Sequence, residues 1–236
     1  MAGQSATRIK ILVSTALCSL MLFGCQGESA QKLRYQQALE SRQQITQSNA
    51  GEAVQLYERL YARNSGDVGI TVKYAEALRK AGMPQQALTV LSPLAESQMK
   101  AKPAILVEYA AANIAVGRFM HAQHALDKLY GLDKKNAADK EDYMPQALNL
   151  NGLVLSASGH HGEAEEKYRQ ALVSWLGNPS VVMNNLALSL AQQGKFDEAL
   201  DFLEQAQRHS TPDQQEMHDQ NLVLVEKLQK KAAKKN

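Results

Sequence analysis

The sequence predicts an all-α chain folded as a solenoid of helix pairs, about eleven helices with a C-terminal capping helix. Strong helix formers, Ala, Leu, Gln, Glu and Lys, dominate the 236 residues. Aromatic residues are 6% of the chain, too few for the aromatic and β-branched runs of sheets. One spacing pattern also recurs four times along the chain. With 44% hydrophobic and 21% charged residues the chain can bury a core, which excludes disorder as its main state. A formal charge of +2 is too small for the electrostatic footprint of a nucleic-acid binder.

Residues 1–24 are expected to stand outside the fold. Arg8 and Lys10 precede an apolar run from Ile11 to Phe23 with no acidic residue, the layout of a secretory signal. The run is too short and too Ser-broken for a good membrane span. It ends in Leu22-Phe23-Gly24-Cys25, which resembles the lipobox of bacterial lipoproteins, although Phe23 replaces the usual small residue. The resemblance implies a covalent lipid on Cys25. Cys18 is the competing acceptor, but bulky Leu17 precedes it; ordinary signal cleavage or an uncleaved anchor are the alternatives. No other cysteine exists, so the mature chain would hold no free thiol and no disulfide; no cofactor is expected besides the covalent lipid. Loss of Arg8 and Lys10 leaves 24 basic against 24 acidic residues, so attachment would be by lipid and not by a basic surface. Three acyl chains hold essentially permanently where one is marginal. By the same resemblance, Gln26 stands where lipoproteins retained at the inner membrane carry Asp, which implies the outer membrane. Residues 25–30 would be a short tether of roughly 20 Å to a repeat domain over 31–234.

The first helix is expected over about Gln31–Gln47, paired with a half copy of the repeat at Ala53, Tyr57 and Leu60. The full copies follow: Ala75, Gly82, Ala87, Leu91, Leu94; then Ala110, Gly117, Ala122, Leu126, Leu129; then Gly152, Gly159, Ala164, Tyr168, Ala171; then Ala187, Gly194, Ala199, Leu203, Ala206. The alanines Ala53, Ala87, Ala122, Ala164 and Ala199 are 34, 35, 42 and 35 residues apart. Small side chains belong where two helix axes approach to about 8–10 Å. Gly ends the first helix of each pair because it takes the left-handed conformation cheaply. Large residues then fill the space to the next pair. Pro103 and Pro179 stand where a helix must begin. Asn113 and Asn151 occupy places usually held by Leu or Tyr. These residues resemble the tetratricopeptide repeat, which implies a right-handed superhelical solenoid of about five helix pairs plus a cap.

The interval of 42 places extra residues in 131–142, a charged stretch read as a loop or a lengthened helix end. Thr211-Pro212-Asp213-Gln214 reads as an N-cap, a first-turn proline and a capping box. Met217, Asn221, Leu224 and Leu228 then recur at helical spacing, a last helix closing the open end of the stack. Lys227, Lys230, Lys231, Lys234 and Lys235 complement its dipole or meet anionic lipid or cell-wall polymer.

Catalytic spacing is not evident. His121 and His124 share a helix face without a third metal ligand, and His160-His161 read as turn residues. The chain is therefore read as a non-enzyme with no metal and no small-molecule substrate. By the repeat resemblance, the first helix of each pair lines the concave face. Residues expected there are Val72, Glu76 and Arg79, then Val107, Ala111 and Ile114, then Asn149, Leu153 and Ser156, and finally Asn184 and Leu188. A neighbouring helix covers any of them if the helix is rotated. The face suits an amphipathic helix or an extended peptide.

Ala147-Leu148-Asn149-Leu150-Asn151-Gly152-Leu153, Tyr168-Arg169-Gln170-Ala171-Leu172 and Met183-Asn184-Asn185-Leu186-Ala187-Leu188-Ser189-Leu190 resemble the TadD family of tight-adherence (Flp) pilus assembly proteins. That resemblance implies an outer-membrane lipoprotein on the periplasmic face, a scaffold or pilotin assisting localisation or multimerisation of a pilus secretin or another assembly protein. A type IV pilus pilotin and a scaffold for cell-wall hydrolases are the alternatives.

Overall fold

The computed structural model describes residues 49–97, 101–132, 139–212 and 214–234. The chain divides into two compact units, Met1–Ser41 and Arg42–Asn236, and the described residues all lie in the second. The signal, Cys25, the tether and the helix expected over 31–47 lie outside them.

Ten helices and no strand are found among the described residues. The first, α1, is helical over 49–63. It is followed by α2 (Val68–Lys80), α3 (Pro84–Ala95), α4 (Pro103–Ala115), α5 (Phe119–Tyr130) and α6 (Lys140–Ala157). Then come α7 (His161–Val173), α8 (Ser180–Gln192), α9 (Phe196–Arg208) and α10 (Gln215–Ala233). From α2 onward each helix packs on the next, and α2, α4, α6, α8 and α10 also pack on one another in succession. The even helices make one layer, with α3, α5, α7 and α9 behind it. Val54 of α1 joins the core, and the Tyr61 ring lies 5.4 Å from that of Tyr74 on α2.

The repeat residues sit where their sizes require. Ala75, Ala110 and Ala187 on one helix of a pair and Ala87, Ala122, Ala164 and Ala199 on the other are wholly buried. Leu91, Leu126, Tyr168 and Leu203 fill the interior beside them. Gly82, Gly117, Gly159 and Gly194 end α2, α4, α6 and α8 with φ between 74 and 81°. At the last of these, the Lys195 N–H turns back to donate to the Leu190 carbonyl at 3.0 Å, which satisfies an orphan carbonyl of the helix end.

Three expectations are changed or decided. Pro103 opens α4, but Pro179 precedes α8 as its N-cap. The stretch 131–142 ends in helix: α6 has 18 residues against 13 in α4, and residues 133–138 lie outside the described set. Lys140, its first residue, donates to the Tyr130 and Leu132 carbonyls at 2.7 and 3.1 Å and so caps α5 with a cation, as the helix dipole favours. The third change concerns α10, which begins at Gln215 with Gln214 as N-cap. Gln214 Oε1 accepts from the Thr211 N–H at 3.3 Å, one half of the expected capping box. The helix buries His218 and Val225, while Met217 and Leu224 are 40% and 47% exposed. The helix is therefore rotated from the face Met217, Asn221, Leu224 and Leu228. Its neighbouring stripe, His218, Leu222 and Val225, has the same periodicity and meets the core.

His218 is expected to make this docking pH-sensitive. Its ring is fully buried, Nδ1 touches the Ser210 hydroxyl, and Nε2 is buried without a hydrogen-bond partner. Burial holds its pKa below the ordinary histidine value, against a smaller opposite pull from Asp219. The unfolded chain thus binds the proton more readily than the fold, so this stabilisation is complete above the ordinary value and is lost as pH falls through the folded value. Denaturant midpoints are expected to drop between about pH 7.5 and about pH 5. His218→Phe should flatten that dependence, and an equal drop in the variant would count against it.

Candidate protein-binding groove

The expected groove residues divide into two regions. At the α2 end, Val72, Val107 and Ala111 are half-buried and packed on the core. Arg79 is held by Glu108: Nε and Nη2 donate to the two carboxylate oxygens at 2.6 and 3.1 Å. Burial pushes the Glu108 carboxyl up, and Arg79 pulls against that rise. Burial also opposes ionisation of Glu76, but hydrogen bonds and charge from Lys73 and Lys80, each at 2.8 Å, hold its pKa down to about 2. These side chains are committed to one another, so this end presents paired charge, three cations against two carboxylates.

At the other end, Ile114, Leu153, Ser156 and Leu188 line one open cavity of about 530 Å³. Phe119, His161, Tyr168, Asn185, Gln192, Asn221 and Leu224 complete much of its wall. Small residues keep it open: Ser156, Ala157 and Ser189 stand where larger side chains would fill it. Tyr168 forms part of the floor, its hydroxyl 3.3 Å from Ser156 Oγ, and burial pushes its pKa up to about 12 although Ser156 pulls the other way. It is a neutral phenol at any working pH.

Asn149 and Asn184 were expected on the open face, yet they are 7% and 2% exposed. Asn185 donates to Asn149 Oδ1 at 3.1 Å, and Asn221 donates to Asn184 Oδ1 at 2.8 Å. These amide rungs join α6 to α8 and α8 to α10, which explains why polar side chains are tolerated between the helices. The amides on the cavity wall are instead Asn185, Gln192 and Asn221. Each of Asn185 and Asn221 gives one N–H to its rung and retains a carbonyl oxygen able to accept from a peptide backbone. Sequence reasoning missed Asn185, Asn221 and Leu224. The register 36 and 37 residues apart, close to one repeat, was the available signal.

His121 and His124 are exposed on α5, beside a smaller cavity of about 410 Å³ that also meets Glu96 and Lys128. Among the described residues no three His, Cys, Asp or Glu side chains gather to hold a metal, and no helix is long and apolar enough to cross a membrane.

Two family profiles, both described as tetratricopeptide repeat, match residues 44–106 and 149–214, together more than half of the sequence. The sequence matches none of the curated proteins compared with it. Among solved structures it is similar to a chain in the APC/C hetero-tetramer Cut9-Hcn1 (TM-score 0.64, 18% identity, 78% of this chain). It spans only 34% of that longer chain. It is also similar to TTC0263, a thermophilic TPR protein of Thermus thermophilus (TM-score 0.59, 21% identity, 77% of this chain and 94% of that one). A tetratricopeptide repeat protein of Parabacteroides merdae matches with TM-score 0.52 and 15% identity over 79% of each chain. At these identities the likeness concerns the fold.

Proposed function

The chain belongs to the tetratricopeptide-repeat family, and from that premise we propose that it is an outer-membrane lipoprotein serving as a protein-binding scaffold in tight-adherence pilus assembly. Its groove holds a segment of the pilus secretin, and the lipid on Cys25 carries both to the outer membrane. One observation supports binding above all: the open cavity of about 530 Å³ with an apolar wall and three amides. Apolar anchors in such a wall bind the side chains of an amphipathic helix or extended peptide, while the amide oxygens meet its backbone. The resemblance of Ala147–Leu153 and Met183–Leu190 to TadD proteins supports the pilus assignment, and Leu22-Phe23-Gly24-Cys25 supports the anchor.

The test uses Leu188→Gln with Leu224→Glu, because Leu224 is half exposed, whereas Leu153 touches both core clusters and its replacement would damage the fold. Expressed in the native strain, the folded double variant is expected to lose secretin multimers from outer-membrane fractions. Normal multimers and piliation at wild-type protein level would refute the groove reading.

The anchor has its own test. Cys25→Ser is expected to yield a product that no longer incorporates labelled fatty acid and leaves the membrane fraction. Retention of both label and membrane association would place the lipid elsewhere.

A further inference from the structure

The turn from α7 to α8 is built unlike the other described turns leading into an even helix. The α1–α2 turn reads Asn64-Ser65-Gly66-Asp67, and the α9–α10 turn begins His209-Ser210-Thr211, polar as surface turns normally are. Here the chain runs Val173-Ser174-Trp175-Leu176-Gly177-Asn178, and Val173 and Leu176 are 89% and 84% exposed. No charged residue occurs between Arg169 and Lys195.

This tip is structured. Gly177 takes φ 86°, which lets the chain reverse behind Leu176. The Trp175 indole N–H donates to the Asn178 carbonyl at 3.0 Å, and Asn178 Oδ1 accepts from the Ser180 N–H at 2.9 Å. Asn178 Nδ2 also donates to the His209 carbonyl, which ties the turn to the end of α9 beside Arg208. Trp175 packs on the core with part of its ring still exposed. Its only donor is satisfied within the turn, so moving the indole out of water leaves no orphan N–H.

We infer that Val173, Trp175 and Leu176 form a wedge that enters the interfacial region of a phospholipid bilayer. Three features favour lipid over a protein partner. Paired aliphatic side chains flank an indole, the residue type enriched at membrane interfaces. The tip has no charge to desolvate, and the neighbouring Arg208, 64% exposed and only loosely paired with Glu204 at 3.9 Å, suits anionic headgroups. Few side chains are involved, which suffices only where another attachment keeps the bilayer at high local concentration. The inference therefore rests on the Cys25 anchor. With the wedge engaged, a tethered domain would hold a fixed orientation on the membrane.

Trp175 is the chain's single tryptophan, so its fluorescence reports on the tip alone. The lipidated full chain is reconstituted into vesicles of phosphatidylethanolamine and phosphatidylglycerol, with and without lipids brominated near the headgroup end of the acyl chain. The expected result is a blue-shifted emission quenched by the brominated lipid. Both effects should be lost in Leu176→Ser with Val173→Ser, whose melting temperature should stay at the wild-type value because both sites are exposed and no charge is added at the end of α7. Protein that floats with vesicles and carries fatty acid but shows unshifted, unquenched emission would overturn the wedge and leave the anchor standing. Protein that neither floats nor carries lipid would overturn both. A blue shift that follows protein concentration without lipid would assign the tip to a second copy of the chain and overturn the wedge.

Discussion

Gly152→Ala is expected to destabilise the protein by about 1–3 kcal/mol, although Ala is the better helix former. A Cβ on Gly152 would stand 2.5 Å from Cε1 of Tyr168 and 2.8 Å from Cδ1 and Cζ. The ring cannot easily yield: Tyr168 is 1% exposed, its hydroxyl meets Ser156, and Ala164 and Ala171 hold α7 close on either side. The gain in helix propensity, about 1 kcal/mol at most, is the smaller effect. The site also lies between two core clusters, and Leu153 next to it touches both. Loosening it should uncouple the halves of a stack whose stability is carried by neighbouring interfaces, so the urea transition is expected to broaden as well as shift. Tyr168→Leu in the same chain should recover part of the loss. An unchanged midpoint in Gly152→Ala would contradict the close approach of α6 and α7.

Glu108→Ala is expected to cost about 3 kcal/mol, the low end for breaking a buried ion pair, because the Arg79 side chain keeps 28% exposure. Arg79 loses both acceptors at once and stays charged within the α2–α4 interface. Replacing both partners, Arg79→Met with Glu108→Leu, should be close to neutral, since no charge is then left unpaired. Melting of the two single variants and the double variant measures this directly. Equal losses in Glu108→Ala and the double variant would show that packing by the side-chain stems, and not the ion pair, stabilises the interface.

Much of the fold was legible because the repeat is a steric code. Ala87, Ala122, Ala164 and Ala199 recur where nothing larger fits, and Gly82, Gly117, Gly159 and Gly194 recur where φ is positive. What escaped is set by contacts between distant residues. Glu108 gives no local sign that Arg79, 29 residues earlier, will meet it. In α10 two adjacent stripes are equally periodic, and only packing against α8 and α9 selects His218 and Val225 for the interior. The groove was half legible for the same reason. Ile114, Leu153, Ser156 and Leu188 line one cavity, whereas Asn149 and Asn184 turn into rungs whose partners lie one repeat away. Leu224 joined the wall through the rotation of α10.

The central claim is that this groove holds a segment of a pilus secretin. A photo-crosslinking amino acid placed at Leu224 on the cavity wall, and separately at Met120, which is 81% exposed on α5, tests it most directly in the native strain. The expected result is a single adduct from Leu224, identified by mass as the secretin subunit, and none from Met120. A secretin adduct from Met120 with none from Leu224 would contradict it and assign binding to the α5 side of the stack.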